Sequence, residues 1–97
     1  MKRIVFRPAA RTDVLYVYRW YERQRAGLGI QSREQLDAAL ERIRGRPQAF
    51  PVAYRGLRRA RLHRFPYLVF FREVDPDLLA VIAVFHARND PAILSDR

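Results

Sequence analysis

From residue 2 the chain alternates with period two. In KRIVFR (2–7), Ile4 and Phe6 share one face and Val5 takes the other, which predicts a short strand. The period changes at Pro8, a residue suited to a first helical turn because the N–H it lacks has no intrahelical partner there. Ala10, Val14, Val17, Tyr18 and Tyr21 then recur at helical spacing, and Leu15, Tyr16 and Trp20 widen the stripe. A helix with so broad an apolar face is expected to cover a sheet and to meet a partner. Gly27 and Gly29 stop it. A second helix is expected from about Ile30 to Arg44. Leu36, Ala39, Leu40 and Ile43 face inward, while Arg33, Glu34, Asp37, Glu41 and Arg42 face outward. Gly45 and Pro47 end it, so two antiparallel helices form a hairpin across a tight glycine turn.

The second half returns to strand periods. AFPVAYRG (49–56) reads as a loop, LRRARLH (57–63) as an alternating strand, and PYLVFFREV (66–74) as another strand closed by the turn DPD (75–77). LLAVIAVFHA (78–87) is apolar on both faces, as a central strand is. The tail turns at Asn89–Pro91 and carries a short apolar anchor, Ile93-Leu94. The expected fold is therefore α+β in two layers. It has an N-terminal strand, an α-helical hairpin and a three-stranded antiparallel meander, in the order β-α-α-β-β-β. The first strand is expected to return beside 78–87, leaving 57–63 on the opposite edge.

Composition narrows the function. A chain of 97 residues is expected to form one domain over 1–97, and its 49% apolar content is enough for a modest core. It has no cysteine, which removes disulfides, thiolate zinc sites and cysteine nucleophiles. No run reaches the length of a membrane span, and the N-terminus lacks the apolar core of a signal peptide, so a cytoplasmic protein is expected. No metal and no cofactor is implied. Nineteen basic against ten acidic residues give +9, and Lys2 is the sole lysine. Such an excess favours an anionic partner, and arginine adds planar, bidentate recognition of carboxylate or phosphate.

The charge concentrates in RRARLHR (58–64), at the mouth of a core strand. Alternation places Arg58, Ala60, Leu62 and Arg64 on one face and Arg59, Arg61 and His63 on the other. Two uses of an arginine-rich edge strand are open. Charge on the edge discourages strand-to-strand aggregation. It also offers a dock for an acidic segment that adds a strand. The candidate partner-binding residues are Arg58, Arg59, Arg61 and Arg64, with Tyr16 and Trp20 as helical anchors. The alternative for the two aromatics is packing beneath the C-terminal tail.

Taken in order, several motifs resemble one family. They are the strand ending in Pro8-Ala9-Ala10, the tyrosine-rich first helix, the GLG break (27–29), RGRPQAFP (44–51), the basic strand leading into RFPYLVFF (64–71), and VIAVFHARNDP (81–91) with Arg97. Together they resemble the RelE/ParE superfamily of type II toxin–antitoxin toxins over nearly the whole chain. That resemblance implies a cognate acidic antitoxin, a toxin–antitoxin hetero-oligomer and one of two activities. ParE-like members poison DNA gyrase by binding; RelE-like members cleave mRNA on the ribosome.

The second activity has a definite chemistry. Metal-free RNA cleavage needs a base for the 2′-OH, cations for the phosphorane and an acid for the leaving oxygen. Arg61, His63, His86 and Arg88 are the candidates here, with Tyr67 as a further donor. The RelE-like pattern has Lys and Arg on the middle strands and a Tyr or His near the C-terminus. The residues after Arg88, NDPAILSDR, contain neither Tyr nor His, and HARNDP resembles the ParE-like branch. A third reading is a non-toxic basic module that binds an antitoxin or nucleic acid.

Overall fold

The computed structural model describes residues 2–97. Strand β1 (Arg3–Phe6) leads into helix α1 (Pro8–Gln24), and three residues later helix α2 (Leu28–Gly45) begins. A 3₁₀ turn at Pro47–Ala49 precedes β2 (Val52–Tyr54), β3 (Leu57–Arg61), β4 (Tyr67–Asp75) and β5 (Leu78–His86), and a 3₁₀ turn (Pro91–Asp96) forms the tail. The five strands form one sheet in the order β1-β5-β4-β3-β2, with β1 parallel to β5 and the other pairs antiparallel. The α+β architecture is as expected from the sequence, including the return of β1 beside the apolar strand.

Two local expectations are corrected. Residues 49–56 are not all loop, because β2 lies within them and pairs with β3. The edge is therefore β2, and β3 is internal to the sheet. The turn Arg55-Gly56 has φ of 45° and 80°, the two left-handed conformations that a tight two-residue hairpin requires. Arginine is an uncommon first residue for that turn. In addition, β3 ends at Arg61, two residues early. His63 therefore lies in a bend rather than in a strand, and Arg64 at φ 70° has left the alternation.

The helical hairpin is held by a carboxylate. Glu22 accepts the N–H groups of Gly27 (3.0 Å) and Gly29 (3.0 Å), two donors at the start of α2 that no helical carbonyl can reach. Its charge also complements the positive end of the helix dipole. Gly27, at φ 89°, makes the reversal, while Gly29 is the second residue of α2 instead of preceding it. A side chain at position 29 has no room, since a Cβ there would stand 2.7 Å from the Tyr18 carbonyl oxygen.

Two apolar clusters sandwich the sheet. Val17, Tyr21, Leu36, Leu40 and Ile43 of the helices pack on Ala60, Tyr67, Val69, Phe71, Leu79, Val81 and Val84. On the other face Leu94 of the tail packs on Leu68, Phe70, Ala83 and Phe85. That accounts for a β5 apolar on both sides.

Strand β1 is only four residues long, so it pairs β5 only as far as Val81. A bulge at Ile82, between the pairs Phe71↔Val81 and Phe70↔Ala83, turns the next backbone groups outward on that side. Side chains occupy the vacated ladder. Asp13 of α1 accepts the Val84 N–H (2.9 Å), and Arg97 donates to the Ile82 carbonyl (3.2 Å). The two side chains are also bonded to each other, Nη2 to Oδ1 at 3.1 Å. This pair fastens α1, β5 and the tail at one point.

Gly29→Ala is expected to cost about 1–3 kcal/mol, since the opposing atom is backbone and cannot step aside. A thermal melt would read this as a fall of several degrees. Asp13→Ala leaves a partly buried guanidinium and a strand N–H without their acceptor. A loss of about 2–3 kcal/mol is expected in urea denaturation.

Candidate partner-binding surface

The register of β3 on β4 sorts the arginines. Arg58 lies opposite Phe71 and Ala60 opposite Val69, so both face the helices. Arg59 lies opposite Phe70 and Arg61 opposite Leu68, so both face the tail side, where they are exposed. Up to Arg61 the expected alternation holds. Arg58 is occupied internally: its Nη1 donates to the Phe50 carbonyl (2.6 Å) and its Nε lies 4.0 Å from Glu73. It ties the 47–51 segment to the sheet. Arg64 is exposed but leans over the Phe65 ring, 5.8 Å from its centre, and donates to Gln31.

The exposed pair Arg59 and Arg61 has companions that the sequence analysis did not single out. Arg72 is two residues beyond Phe70 on β4, on the same face, and lines a cleft of about 190 Å³ with Tyr54, Arg55, Leu57 and the tail. The parity of β4 contains that signal: Phe71 and Glu73 belong to one face, Phe70 and Arg72 to the other.

At the far end of the sheet an aromatic cluster runs from core to surface. Tyr21 packs edge-on against Phe65 (4.8 Å), Tyr67 (5.9 Å) and Trp20 (5.0 Å), and Tyr67 packs against His86 (5.3 Å). Trp20 is 38% exposed and Tyr16 61% exposed. The tail does not cover them, since its buried residue Leu94 belongs to the opposite face of the sheet. The helix thus presents an aromatic surface with Arg64 near its foot.

The candidate nuclease residues are not brought together. His86 is paired with Tyr67, so it shares the helix-side face, whereas Arg61 points to the tail side. Strand β4 lies between their strands, which puts the two backbones about 10 Å apart. The Nδ1 of His86 accepts the Arg88 N–H (3.0 Å), an assignment that leaves the ring proton of the neutral form on Nε2. His63 and Arg88 are exposed in separate bends. Tyr67 is buried, and that burial, with Tyr21 and Tyr16 nearby, raises its phenol above the ordinary 10.0. No cluster of three or more metal-ligating side chains occurs among the described residues.

A helical hairpin thus covers one face of a five-stranded mixed sheet, and a short tail covers the other. The chain belongs to the ParE toxin family of type II toxin–antitoxin systems: the family described as "ParE toxin of type II toxin-antitoxin system, parDE" matches residues 4–91. A solved structure titled "Chromosomal ParDE TA system from P. aeruginosa" has the same fold. It matches with a TM-score of 0.75 at 16% identity, over 89% of this chain and 96% of that one. No curated protein matches the sequence significantly. No helix among the described residues is long and apolar enough to cross a membrane.

The buried phenols give a pH test. Tyr21 and Tyr67 both have pKa values raised by burial, so the unfolded chain releases these protons at lower pH than the folded one. Their contribution is complete below pH 10 and is lost as pH rises through the folded values. Urea midpoints measured upward from pH 9 are expected to fall above pH 10, and Tyr67→Phe is expected to reduce that slope.

Proposed function

We propose that this protein acts by binding, as a ParE-like toxin that inhibits DNA gyrase and is neutralised by a cognate acidic antitoxin. The observation that carries this reading is the separation of Arg61 and His86 onto opposite faces of the sheet within a chain of the ParE family. General acid–base cleavage of RNA needs its base, cations and acid around one phosphate, within hydrogen-bond reach. Residues on two faces do not meet that need. The same positions suit a binder: exposed Arg59 and Arg61 on one face, and exposed Tyr16 and Trp20 on the helix.

In this reading Arg59, Arg61 and Arg64 supply charge complementarity, and Trp20 and Tyr16 supply apolar anchors of the kind that dominate interface energetics. Arg58 has a lesser part, because two internal acceptors already engage it. The toxin and antitoxin form a hetero-oligomer in the cytoplasm. Neither a metal nor a cofactor takes part.

The test is a gyrase supercoiling assay with the purified protein, with and without its antitoxin, scored for lost supercoiling and for accumulated cleaved DNA. Inhibition reversed by the antitoxin is the expected result, with mRNA on translating ribosomes left intact. His63→Ala and Arg88→Ala are each expected to retain growth inhibition in cells. Ribosome-dependent mRNA cleavage that these substitutions abolish establishes the nuclease instead. Unaffected growth and unaffected gyrase establish a non-toxic binding module.

A further inference from the structure

Strands β3 and β4 are internal to the sheet, so each has a paired neighbour on both sides. What they offer on the tail side is therefore side chains alone. Arg59 lies opposite Phe70, and Arg72, two residues further along β4, is its diagonal neighbour on the same face. Arg61 follows Arg59 by one step of the alternation. These steps are about 7 Å along a strand and about 7–8 Å on the diagonal, so the three side chains form one oblique row. Arg55 extends the row from the turn between β2 and β3. Its guanidinium stands 5.3 Å from the centre of the Tyr54 ring, and it lines the same cleft as Arg72.

All four arginines are exposed, and none makes an ion pair among the described residues. The neighbouring tail brings two carboxylates, but Asp90 accepts the Ala92 N–H of its own turn (2.9 Å), and Asp96 pairs with none of the four. The apolar layer beneath is already closed, since Phe70 and Phe85 are buried under Leu94. The exposed apolar residues Leu15, Tyr16, Trp20 and Ile30 belong to the helices, on the opposite side of the sheet. The tail side thus presents a row of free cations, edged by Tyr54, over a floor that has no open apolar centre.

We infer that this row binds the phosphate backbone of DNA, so that the toxin engages gyrase together with the DNA that gyrase holds. The choice of DNA among polyanions rests on the gyrase reading above; the row itself argues for a nucleic acid over a protein. Protein interfaces have a core depleted of charge, whereas nucleic-acid interfaces are polar and strongly cationic. Internal strands also leave no sheet edge here to which a partner's strand could add. A phosphate backbone presents one anion per nucleotide at even steps. Guanidiniums spaced by strand geometry engage such anions in series, each through its planar fork of donors. Tyr54, at the end of the row, adds a ring on which a sugar or an unstacked base can lie. The two faces then divide the work. The row takes backbone charge without reading sequence, and Tyr16 and Trp20 on the helix side are left for the enzyme.

The test measures fluorescence anisotropy of a labelled DNA duplex of about 20 base pairs, titrated with the full chain at several salt concentrations. Four phosphate contacts predict that log K falls with log salt with a slope of about −3 to −4. Because a chain of net charge +9 attracts any polyanion, the decisive comparison is between variants of equal charge. The double variant R59A/R72A is expected to weaken binding by about tenfold or more and to make the slope shallower by about 2. The double variant R3A/R7A removes the same charge from the β1 side and is expected to bind within about threefold of the unaltered chain. All four substituted residues are exposed, and matching thermal melts check that both variants keep the fold. In the isotope-labelled chain, DNA is expected to shift the amide signals of 54–61 and of Arg72, and to leave those of α1 in place.

Four results overturn the inference. They are no saturation by about 100 μM protein at low salt, equal losses in the two variants, amide shifts confined to the helices, and equal or tighter binding of a glutamate peptide of the same charge. Tighter binding of RNA of the same sequence overturns the assignment to DNA. Inhibition of gyrase by a chain that binds no DNA sinks this inference alone. DNA held by the row with no effect on supercoiling sinks the gyrase reading instead, so the two failures are distinguishable.

Discussion

Strand β5 is buried on both faces but has only half a neighbour on one side, and the structure depends on how that deficit is met. An unpaired N–H or C=O in a dry interior costs about 1–3 kcal/mol, comparable with a sizeable share of the stability of a small protein. Lengthening β1 is not open to this chain, because Pro8 starts a helix at the point where pairing would continue. The bulge at Ile82 and the Asp13–Arg97 pair solve the problem with side chains, and the solution has consequences elsewhere. Asp13 fixes the rotation of α1 about its own axis and thereby its exposed stripe. Arg97 draws the tail across the edge of the sheet, which lets Leu94 close the second core. Both layers are thus referenced to the same two backbone groups of β5.

The large positive charge divides along the same lines. Some arginines are consumed by the fold. Arg58 holds the segment before β2, Arg42 donates to the Arg61 carbonyl at 2.8 Å, and Arg97 takes part in the β5 closure. Others face solvent without a carboxylate, including Arg59 and Arg61 on the tail side of the sheet and Arg3, Arg7 and Arg11 along β1. The internal arginines use the fork of donors and the long stem that suit a half-buried site. The external ones lie on the tail-side face of β3 and around β1 and the start of α1, where they meet solvent. Dense charge at the mouth of a core strand is therefore two populations, separated by the two-residue period of β3.

The sequence was most legible where one period ran long. The stripe of α1, the alternation of β1 and the double-sided apolar run of β5 each extend over several repeats, and element type and layer follow from them. Boundaries were legible only where local chemistry is unambiguous, as at Asp75-Pro76-Asp77, where the Asp75 carboxylate accepts the Asp77 N–H (2.7 Å) and forms the turn. Strand β2 was missed because three residues show no period and its turn uses Arg-Gly, where Asn-Gly is the usual signature. The early end of β3 was missed because Leu62 stays buried after the strand stops, so the apolar pattern outlasts the ladder. The role of Asp13 was hidden for a different reason: its partners lie 71 and 84 residues away. The one available hint was a lone carboxylate in the first half of a helix otherwise bordered by arginine.

The contrast between a fold easily read and a site hardly readable has a physical basis. A strand pairing is specified by many residues at once, and one wrong assignment leaves it standing. A catalytic set has no such redundancy, because it exists only if a few side chains share a face, and one residue of register reverses that. In this chain Tyr67 pairs with His86 and Leu68 with Arg61, so adjacent positions on β4 send the histidine and the arginine to opposite sides of the sheet. A one-residue change in either pairing would place them together, at the cost of turning Tyr67 or Phe70 out of its core. The packing that holds the aromatic cluster and Leu94 in place is therefore also what keeps the nuclease set apart. On that argument the register that keeps these two side chains apart is fixed by the same packing that makes the scaffold stable.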